Sequence, residues 1–228
     1  MNKYIHLQAR FILMKISILT PTIRPQGLIY IQESLKKQTL QDFEWLVEIG
    51  CPWKGIDLCK SMNRMLKRSN GEIVISWQDY IVAKDDALEC FWDKYTELGK
   101  RILITAPVGK TSDWKDIAWD WRKYKDGAIE PNEWEADFAC APLQAFKDIG
   151  GYDEQFDNAW SWENADVALR ASKAGYSFYC DNRNQAVAFD HDKAEKHPWR
   201  GGKTNADLFN TKKSLLNSTN YPFKLNYL

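Results

Sequence analysis

The sequence lacks an excess of either charge, a long apolar run and a paired set of cysteines, and each absence excludes a class of protein. Among 228 residues, 31 are Lys or Arg and 31 are Asp or Glu, so composition offers no basic surface for a nucleic acid partner. The five cysteines are scattered without a Cys-x-x-Cys pair, which argues against zinc and for reduced thiols in a cytoplasmic protein. Polar residues interrupt the stretch before Met14, so we expect no transmembrane segment there and regard residues 1–13 as a possible leader.

Tryptophan is the residue that the chain has in excess. There are eleven, and six of them fall between Trp114 and Trp162. Such residues can make a core rigid, or they can line a cleft where indole faces stack on the apolar C–H surface of a sugar. Composition alone leaves both interpretations open.

Apolar runs alternate with amphipathic segments along the chain, which predicts an α/β fold. We predict strands at 15–20, 43–49, 72–77, 101–106, 137–141, 176–180 and 185–189, and helices at 28–37, 58–66, 86–98, 142–149 and 162–175. Such alternation favours a mostly parallel central sheet with flanking helices and with ligands at the carboxyl ends of the strands. Residues 108–135 read as a long ordered excursion over the cleft, and residues from Asp192 onward as a polar tail ending in coil. No linker is evident, so we predict one domain over 1–228, with 203–228 as its tail.

The most informative motif is Gly150-Gly151-Tyr152-Asp153-Glu154, followed by Trp160-Ser161-Trp162-Glu163-Asn164-Ala165-Asp166. It places a glycine turn, two tryptophans and carboxylates just before a predicted helix. A helix start carries unpaired N–H groups and partial positive charge, which suits acidic side chains. The simplest alternative is a tryptophan-rich core edge with a helix cap.

This motif resembles the Gly-Gly-(Phe/Tyr)-Asp-Glu … Trp-Gly-x-Glu-Asp-x-Asp segment of inverting GT-A glycosyltransferases, especially family 2 enzymes and galactosyltransferase-like carboxyl-terminal halves. The resemblance implies a GT-A (nucleotide-diphospho-sugar transferase) fold. It also implies a hexosyltransferase that moves a sugar from a UDP- or GDP-sugar to a glycan or another hydroxyl acceptor, most simply with inversion.

The resemblance extends to residues at the ends of the first three predicted strands and to Asn63, which precedes the third strand. It implies that the nucleotide sugar is bound by Thr20, Pro21, Thr22, Arg24, Glu48, Asn63, Gln78 and Asp79. Glu48 stands where the family has the first acid of Val-Asp-Asp-Gly-Ser, and Ile49 replaces the second acid.

A divalent metal, Mn²⁺ or Mg²⁺, is the cofactor that the resemblance implies. The family's third strand ends in Asp-x-Asp, whose carboxylates hold the ion against the diphosphate. Here only Asp79 remains, with Trp77 in the place of the first aspartate. His191, which resembles a late histidine of several GT-A enzymes, is the second predicted ligand. A histidine paired only to a neighbouring aspartate is the alternative.

The resemblance also locates the reaction centre at the Trp/Glu segment. The family's catalytic base, an aspartate, is replaced by Asn164, and an amide cannot take up a proton. We therefore predict Glu163, with Asp166 in reserve, as the catalytic residues, and Trp160, Trp162 and Asn164 as the lining of the acceptor or sugar pocket. The alternative is a degenerate GT-A domain that binds nucleotide or glycan without turnover.

Overall fold

The computed structural model describes residues 14–50, 57–113, 115–158, 161–189, 205–217 and 223–228. The strands are β1 (Ile16–Thr22), β2 (Phe43–Ile49), β3 (Ile73–Trp77), β4 (Ile81–Ala83), β5 (Ile102–Thr105), β6 (Val108–Thr111), β7 (Ala118–Trp119), β8 (Gly127–Ala128), β9 (Phe138–Pro142), β10 (Ser177–Cys180) and β11 (Ala186–Phe189). The helices are α1 (Leu28–Lys36), α2 (Leu58–Arg68), α3 (Ala87–Glu97), α4 (Leu143–Ile149), α5 (Glu163–Lys173) and α6 (Ala206–Leu216). None of the helices in these ranges is both long enough and apolar enough to cross a membrane.

The central sheet has seven strands in the order β2-β1-β3-β9-β5-β10-β8. β1 pairs in parallel with β2 and β3, and β5 pairs in parallel with β10. β9 is antiparallel to both of its neighbours, and β8 is antiparallel to β10. A smaller sheet has the order β4-β11-β6-β7. The predicted mixed α/β architecture with helices on a central sheet is therefore confirmed.

Each face of the central sheet carries its own hydrophobic core, because successive side chains of a strand point to opposite faces. On β1, Ile16 and Ile18 contribute to one core, and Leu19 contributes to the other. The first core includes buried side chains of α1 and α3. The second includes side chains of α2, α4, α5 and α6. The carboxyl ends of β1, β2 and β3 lie at one edge between these two layers.

Helix α6 (Ala206–Leu216), which packs beside α5, was not predicted from the sequence, whereas residues 223–228 form neither helix nor strand. Phe209, Lys212 and Leu216 are buried on this helix, at a spacing that places them on one side. The buried ammonium of Lys212 is paired with the carboxylate of Asp153. The remote partner of a buried lysine is not visible in local sequence, so the helix face read as polar.

Candidate active site

Three side chains predicted to bind the nucleotide meet at the ends of β1 and β3. Asp79 is buried, and its Oδ2 accepts a hydrogen bond of 2.5 Å from the Thr22 hydroxyl. The Arg24 guanidinium donates from Nη2 to Asp79 Oδ1 at 2.8 Å and from Nε to Oδ2 at 3.4 Å. The Thr22 oxygen also accepts from the backbone N–H of Arg24 at 2.8 Å. We call these three residues the strand-end cluster.

Gln78, Pro21 and Glu48 lie next to the strand-end cluster. Gln78 precedes Asp79 and is half-buried, and the β1–β2 register places Pro21 beside Glu48. The carboxylate of Glu48 is turned toward α2, where it pairs with Arg64 at 3.1 Å and Arg68 at 2.8 Å. All three residues therefore lie at the edge of the sheet where they were predicted to lie.

Two further residues predicted to bind nucleotide have buried partners within the protein. Thr20 is fully buried, and its hydroxyl accepts a hydrogen bond of 3.0 Å from the Trp45 indole. Asn63 on α2 is buried, donating to Tyr152 O at 2.9 Å and to Glu154 Oε1 at 3.0 Å. Its Oδ1 accepts from the Tyr152 N–H at 2.8 Å. Asn63 thus ties α2 to the Gly-Gly-Tyr-Asp-Glu segment.

Trp77, which the sequence comparison set in the place of a metal-binding aspartate, belongs to the core. Its side chain has no exposed area, and its indole N–H donates to Ile81 O at 2.9 Å. The ring packs edge-on against Phe138, with ring centroids 5.1 Å apart. Trp77 shares a strand face with Ile73 and Ile75, so the pleat directs it into the core on that face of the sheet.

The Gly150-Gly151 turn is held from several directions. Both glycines have positive φ, 76° and 87°, a backbone region that L side chains rarely adopt. A Cβ on Gly150 would lie 1.7 Å from Leu225 O, and a Cβ on Gly151 would lie 2.5 Å from Asn63 Oδ1. Arg170 Nη1 donates to Ile149 O at 2.9 Å and to Gly151 O at 2.8 Å. Glycine is required here both for the backbone conformation and for the close approach of neighbouring chain.

Asp166, the reserve candidate for the base, lies on the buried side of α5. Its carboxylate accepts a 2.8 Å hydrogen bond from Arg170 Nε, one helical turn later. Burial raises the pKa of Asp166, and the charge of Arg170 opposes that rise. Through Arg170, Asp166 helps to fix the glycine turn described above.

Glu163 is the first residue of α5 and is half-buried. Its pKa is raised, first by burial and then by the negative charges of Asp157 and Glu135, while its own backbone N–H opposes the rise. A carboxylate of this kind, partly accessible and reluctant to remain charged, is well suited to take up a proton.

The position of Asp157, whose charge contributes to the raised pKa of Glu163, locates Glu163 relative to the sheet. Its two carboxylate oxygens accept from the backbone N–H groups of Cys59 at 2.7 Å and Lys60 at 3.0 Å, which caps the start of α2. Because α2 follows β2 along the chain, its start lies toward the carboxyl ends of the parallel strands. Glu163 therefore lies at the same edge as the strand-end cluster.

Of the residues predicted to line the acceptor or sugar pocket, the structure describes Trp162 and Asn164. Trp162 keeps 41% of its surface exposed and stacks on Phe209 of α6, with centroids 4.9 Å apart and planes 24° from parallel. It has positive φ, 75°, immediately before α5, and Asn164 is half-buried in the first turn. Trp160 and His191 lie outside the described residues, so their predicted roles are untested.

Asp79 is the one member of the predicted metal pair for which the structure gives contacts. Both of its oxygens are engaged by Thr22 and Arg24. Within the described ranges, no three His, Cys, Asp or Glu side chains gather in a way that could hold a metal ion. The metal site on Asp79 and His191 therefore stays a prediction.

A buried ion network beside the site was not predicted from the sequence. Arg122 lies in the excursion and has a 3% exposed side chain, which bonds to Asp120 at 2.6 Å and to Asp137 at 2.7 Å. It also donates to the Thr105 hydroxyl at 2.9 Å, and the Gln78 N–H donates to Asp137 O. This network attaches the excursion to the sheet edge. The excursion has no clear periodicity, and Asp120 two residues before Arg122 was the only signal in the local sequence.

The fold is the GT-A fold of nucleotide-diphospho-sugar transferases. The structure is similar to that of S. aureus TarS 1–349 in complex with UDP-GlcNAc, with a TM-score of 0.64 and 16% identity over 89% of this chain and 65% of that one. It is also similar to TarS 1–349 in complex with UDP, with a TM-score of 0.55 and 15% identity over 79% of this chain and 62% of that one. The chain thus spans less than two thirds of the length of these neighbours.

No family model matches the sequence, and no curated protein matches it. The predicted glycosyltransferase fold is therefore confirmed by structural similarity, and membership of family 2 stays a prediction.

Proposed function

We propose that this protein is a glycosyltransferase that moves a sugar, most simply a hexose, from a nucleoside diphosphate sugar to a hydroxyl acceptor with inversion. The observation that carries the proposal is the placement of two groups at one sheet edge of a GT-A fold. The strand-end cluster lies at the ends of β1 and β3, and Glu163 stands at the start of α5. Solved neighbours with UDP and UDP-GlcNAc support a UDP-sugar among the predicted UDP- and GDP-sugar donors.

In the proposed reaction, Glu163 takes the proton of the acceptor hydroxyl. The resulting oxygen attacks the anomeric carbon from the face opposite the diphosphate, which leaves with the bonding electrons. The raised pKa of Glu163 suits it to hold this proton. Asp166 is engaged by Arg170 in a buried pair, which favours Glu163 as the base.

Trp162 supplies an exposed indole surface next to Glu163, and we assign it to the acceptor or donor-sugar pocket with Asn164. The stack on Phe209 holds the indole in one orientation, as a sugar platform requires. The proposed reaction assigns no step to a metal ion, because Thr22 and Arg24 hydrogen-bond to both carboxylate oxygens of Asp79.

A second candidate is a GT-A domain that binds a nucleotide sugar or glycan without turnover. Asn164 in the place of the family's base and Trp77 in the core favour this candidate. The first candidate predicts donor binding and chemistry, whereas the second predicts binding of a nucleotide sugar or a glycan without chemistry.

The test incubates the protein with UDP- and GDP-sugars and a panel of hydroxyl acceptors, and measures released nucleoside diphosphate. Thermal stabilisation by the same donors reports binding, because a ligand bound only by the native state raises stability. Glu163→Gln, which keeps size and loses charge, should retain binding and lose turnover. Binding without turnover in the parent would favour the second candidate, and absence of binding to every donor would contradict the first and leave only a glycan-binding domain.

A further inference from the structure

The diphosphate of a nucleotide sugar carries at least two negative charges, which the protein must compensate at its binding site. In the strand-end cluster, Arg24 is the cation closest to Asp79, with Nη2 2.8 Å from Oδ1. Its side chain is 22% exposed, whereas that of Asp79 is 4% exposed. The guanidinium therefore covers the carboxylate and faces the solvent side of the sheet edge.

Asp79 has little capacity left for a metal ion. Oδ2 accepts from both the Thr22 hydroxyl and Arg24 Nε, which uses the two lone pairs of that oxygen. Oδ1 accepts from Arg24 Nη2. A divalent ion on the remaining lone pair, at about 2.0–2.2 Å, would lie within about 5 Å of the guanidinium and be repelled by it.

Arg24, in contrast, has donors to spare. A guanidinium carries five N–H groups, and the contacts with Asp79 engage Nε and Nη2. The Nη1 end is left to point away from Asp79. The ring of Tyr80 lies 5.6 Å from the guanidinium carbon, which restrains the plane of the group. Arg24 is thus oriented by an acid on one side, and no residue in the described ranges accepts from its Nη1 donors, which bidentate phosphate binding requires.

The backbone around Arg24 is also fixed in place. Its N–H donates to the Thr22 hydroxyl, and its carbonyl accepts from the Gly27 N–H at 2.8 Å. A Cβ on Gly27 would lie 2.8 Å from Asp79 O, so the turn is packed directly on the residue that pairs with Arg24. A guanidinium held in this way loses little conformational entropy when it binds a ligand.

We propose that Arg24 binds the donor's diphosphate directly, and that Asp79 positions this guanidinium instead of holding a divalent ion. The inference rests on the proposed nucleotide-sugar function, and it predicts that donor binding does not require metal. It therefore competes with the metal site predicted on Asp79 and His191.

The test measures UDP and uridine binding by calorimetry, in EDTA and in MnCl₂. For the parent we expect the same UDP affinity in both buffers, within about twofold. Arg24→Ala should weaken UDP binding by about tenfold or more and leave uridine binding unchanged, because uridine has no phosphate. Arg24→Lys keeps the charge but not the forked donors, and should weaken UDP binding by a smaller factor. Asp79→Asn should weaken UDP binding equally in both buffers.

Arg101→Ala is the matched control. Arg101 donates to a backbone carbonyl, Ala174 O at 2.6 Å, and, like Arg24, lies near an aromatic ring, that of Tyr176 at 4.3 Å. It precedes β5 and lies at the opposite edge of the sheet, so UDP affinity should not change.

Loss of parental UDP binding in EDTA, with recovery in MnCl₂, would overturn the inference and leave the proposed function standing. Parental UDP affinity in Arg24→Lys would also overturn it, even if Arg24→Ala fails to fold. If no nucleoside diphosphate binds in either buffer, the proposed function itself fails, and the inference fails with it.

Discussion

Replacing Asn63 by Ala distinguishes a structural role for this residue from the nucleotide-binding role that the sequence implies. Asn63 is 2% exposed and makes three hydrogen bonds, two with the backbone of Tyr152 and one with Glu154. The alanine variant leaves the N–H and C=O of Tyr152 buried without these partners. Each such group costs about 1–3 kcal/mol, so we expect the free energy of unfolding to fall by about 2–4 kcal/mol.

For a chain of 228 residues, a loss of this size corresponds to a fall in Tm of about 5–15 °C. The assay is thermal unfolding by circular dichroism, alongside calorimetric UDP binding well below the Tm. Arg64→Ala, at the next position of α2 and on its exposed face, is the control for loss of a helix residue and should cost less than 1 kcal/mol. An Asn63→Ala variant with parental Tm and weakened UDP binding would refute the structural role and support direct nucleotide contact.

Further predictions concern the start of α5. Glu163→Gln should lower kcat by about 10²–10⁴-fold, about 3–5 kcal/mol of activation free energy, and parental turnover in this variant would exclude Glu163 as the base. Because the pKa of Glu163 is raised, kcat/KM of the parent should fall with decreasing pH at a higher pH than for an ordinary glutamate, whose pKa is about 4.3. The raised pKa also means that ionisation of Glu163 destabilises the native state. Glu163→Gln should therefore become more stable than the parent as pH rises above that ordinary pKa. Asn164→Asp should change kcat little if Glu163 is the base, and a large gain would favour a chain that has lost its base. Trp162→Ala should raise the acceptor KM while unfolding remains cooperative, whereas complete unfolding would show that the indole is only a core group.

Much of the fold could be predicted because strands such as β2 and β3 are bounded by glycines, Gly50 and Gly71, although Pro21 lies inside β1. The prediction of 43–49 matches β2 at both ends, and β1 and β3 differ from prediction by one or two residues at an end. β1 and β3 are buried between two layers, so their largely apolar runs are easy to recognise, whereas β2 is a half-buried edge strand. Their order in the sheet, with β9 inserted antiparallel between β3 and β5, depends on contacts that local patterns do not contain.

The candidate site was predictable in its location but less so in its side-chain contacts. A motif gives a residue's place in the chain, and the strand pleat or helix face then decides where the side chain points. Trp77 is buried in the same core as Ile73 and Ile75, and Asn63 lies on the buried face of α2. The Arg24–Asp79 pair joins residues 55 apart, a distance that no local pattern spans.

The glycine turn also has a consequence for the order in which the protein folds. Its supports come from Asn63, 89 residues before Tyr152, from Arg170, and from the last residues of the chain, where Leu225 N–H donates to Ile149 O and Tyr227 N–H to Gly150 O. Closing loops of this length costs entropy before any contact repays it, so contacts of this kind form late. β1, β2 and β3 pair over shorter separations, whereas the segment that carries Glu163 acquires its final shape only after α2 and residues 225–227 have reached the glycine turn.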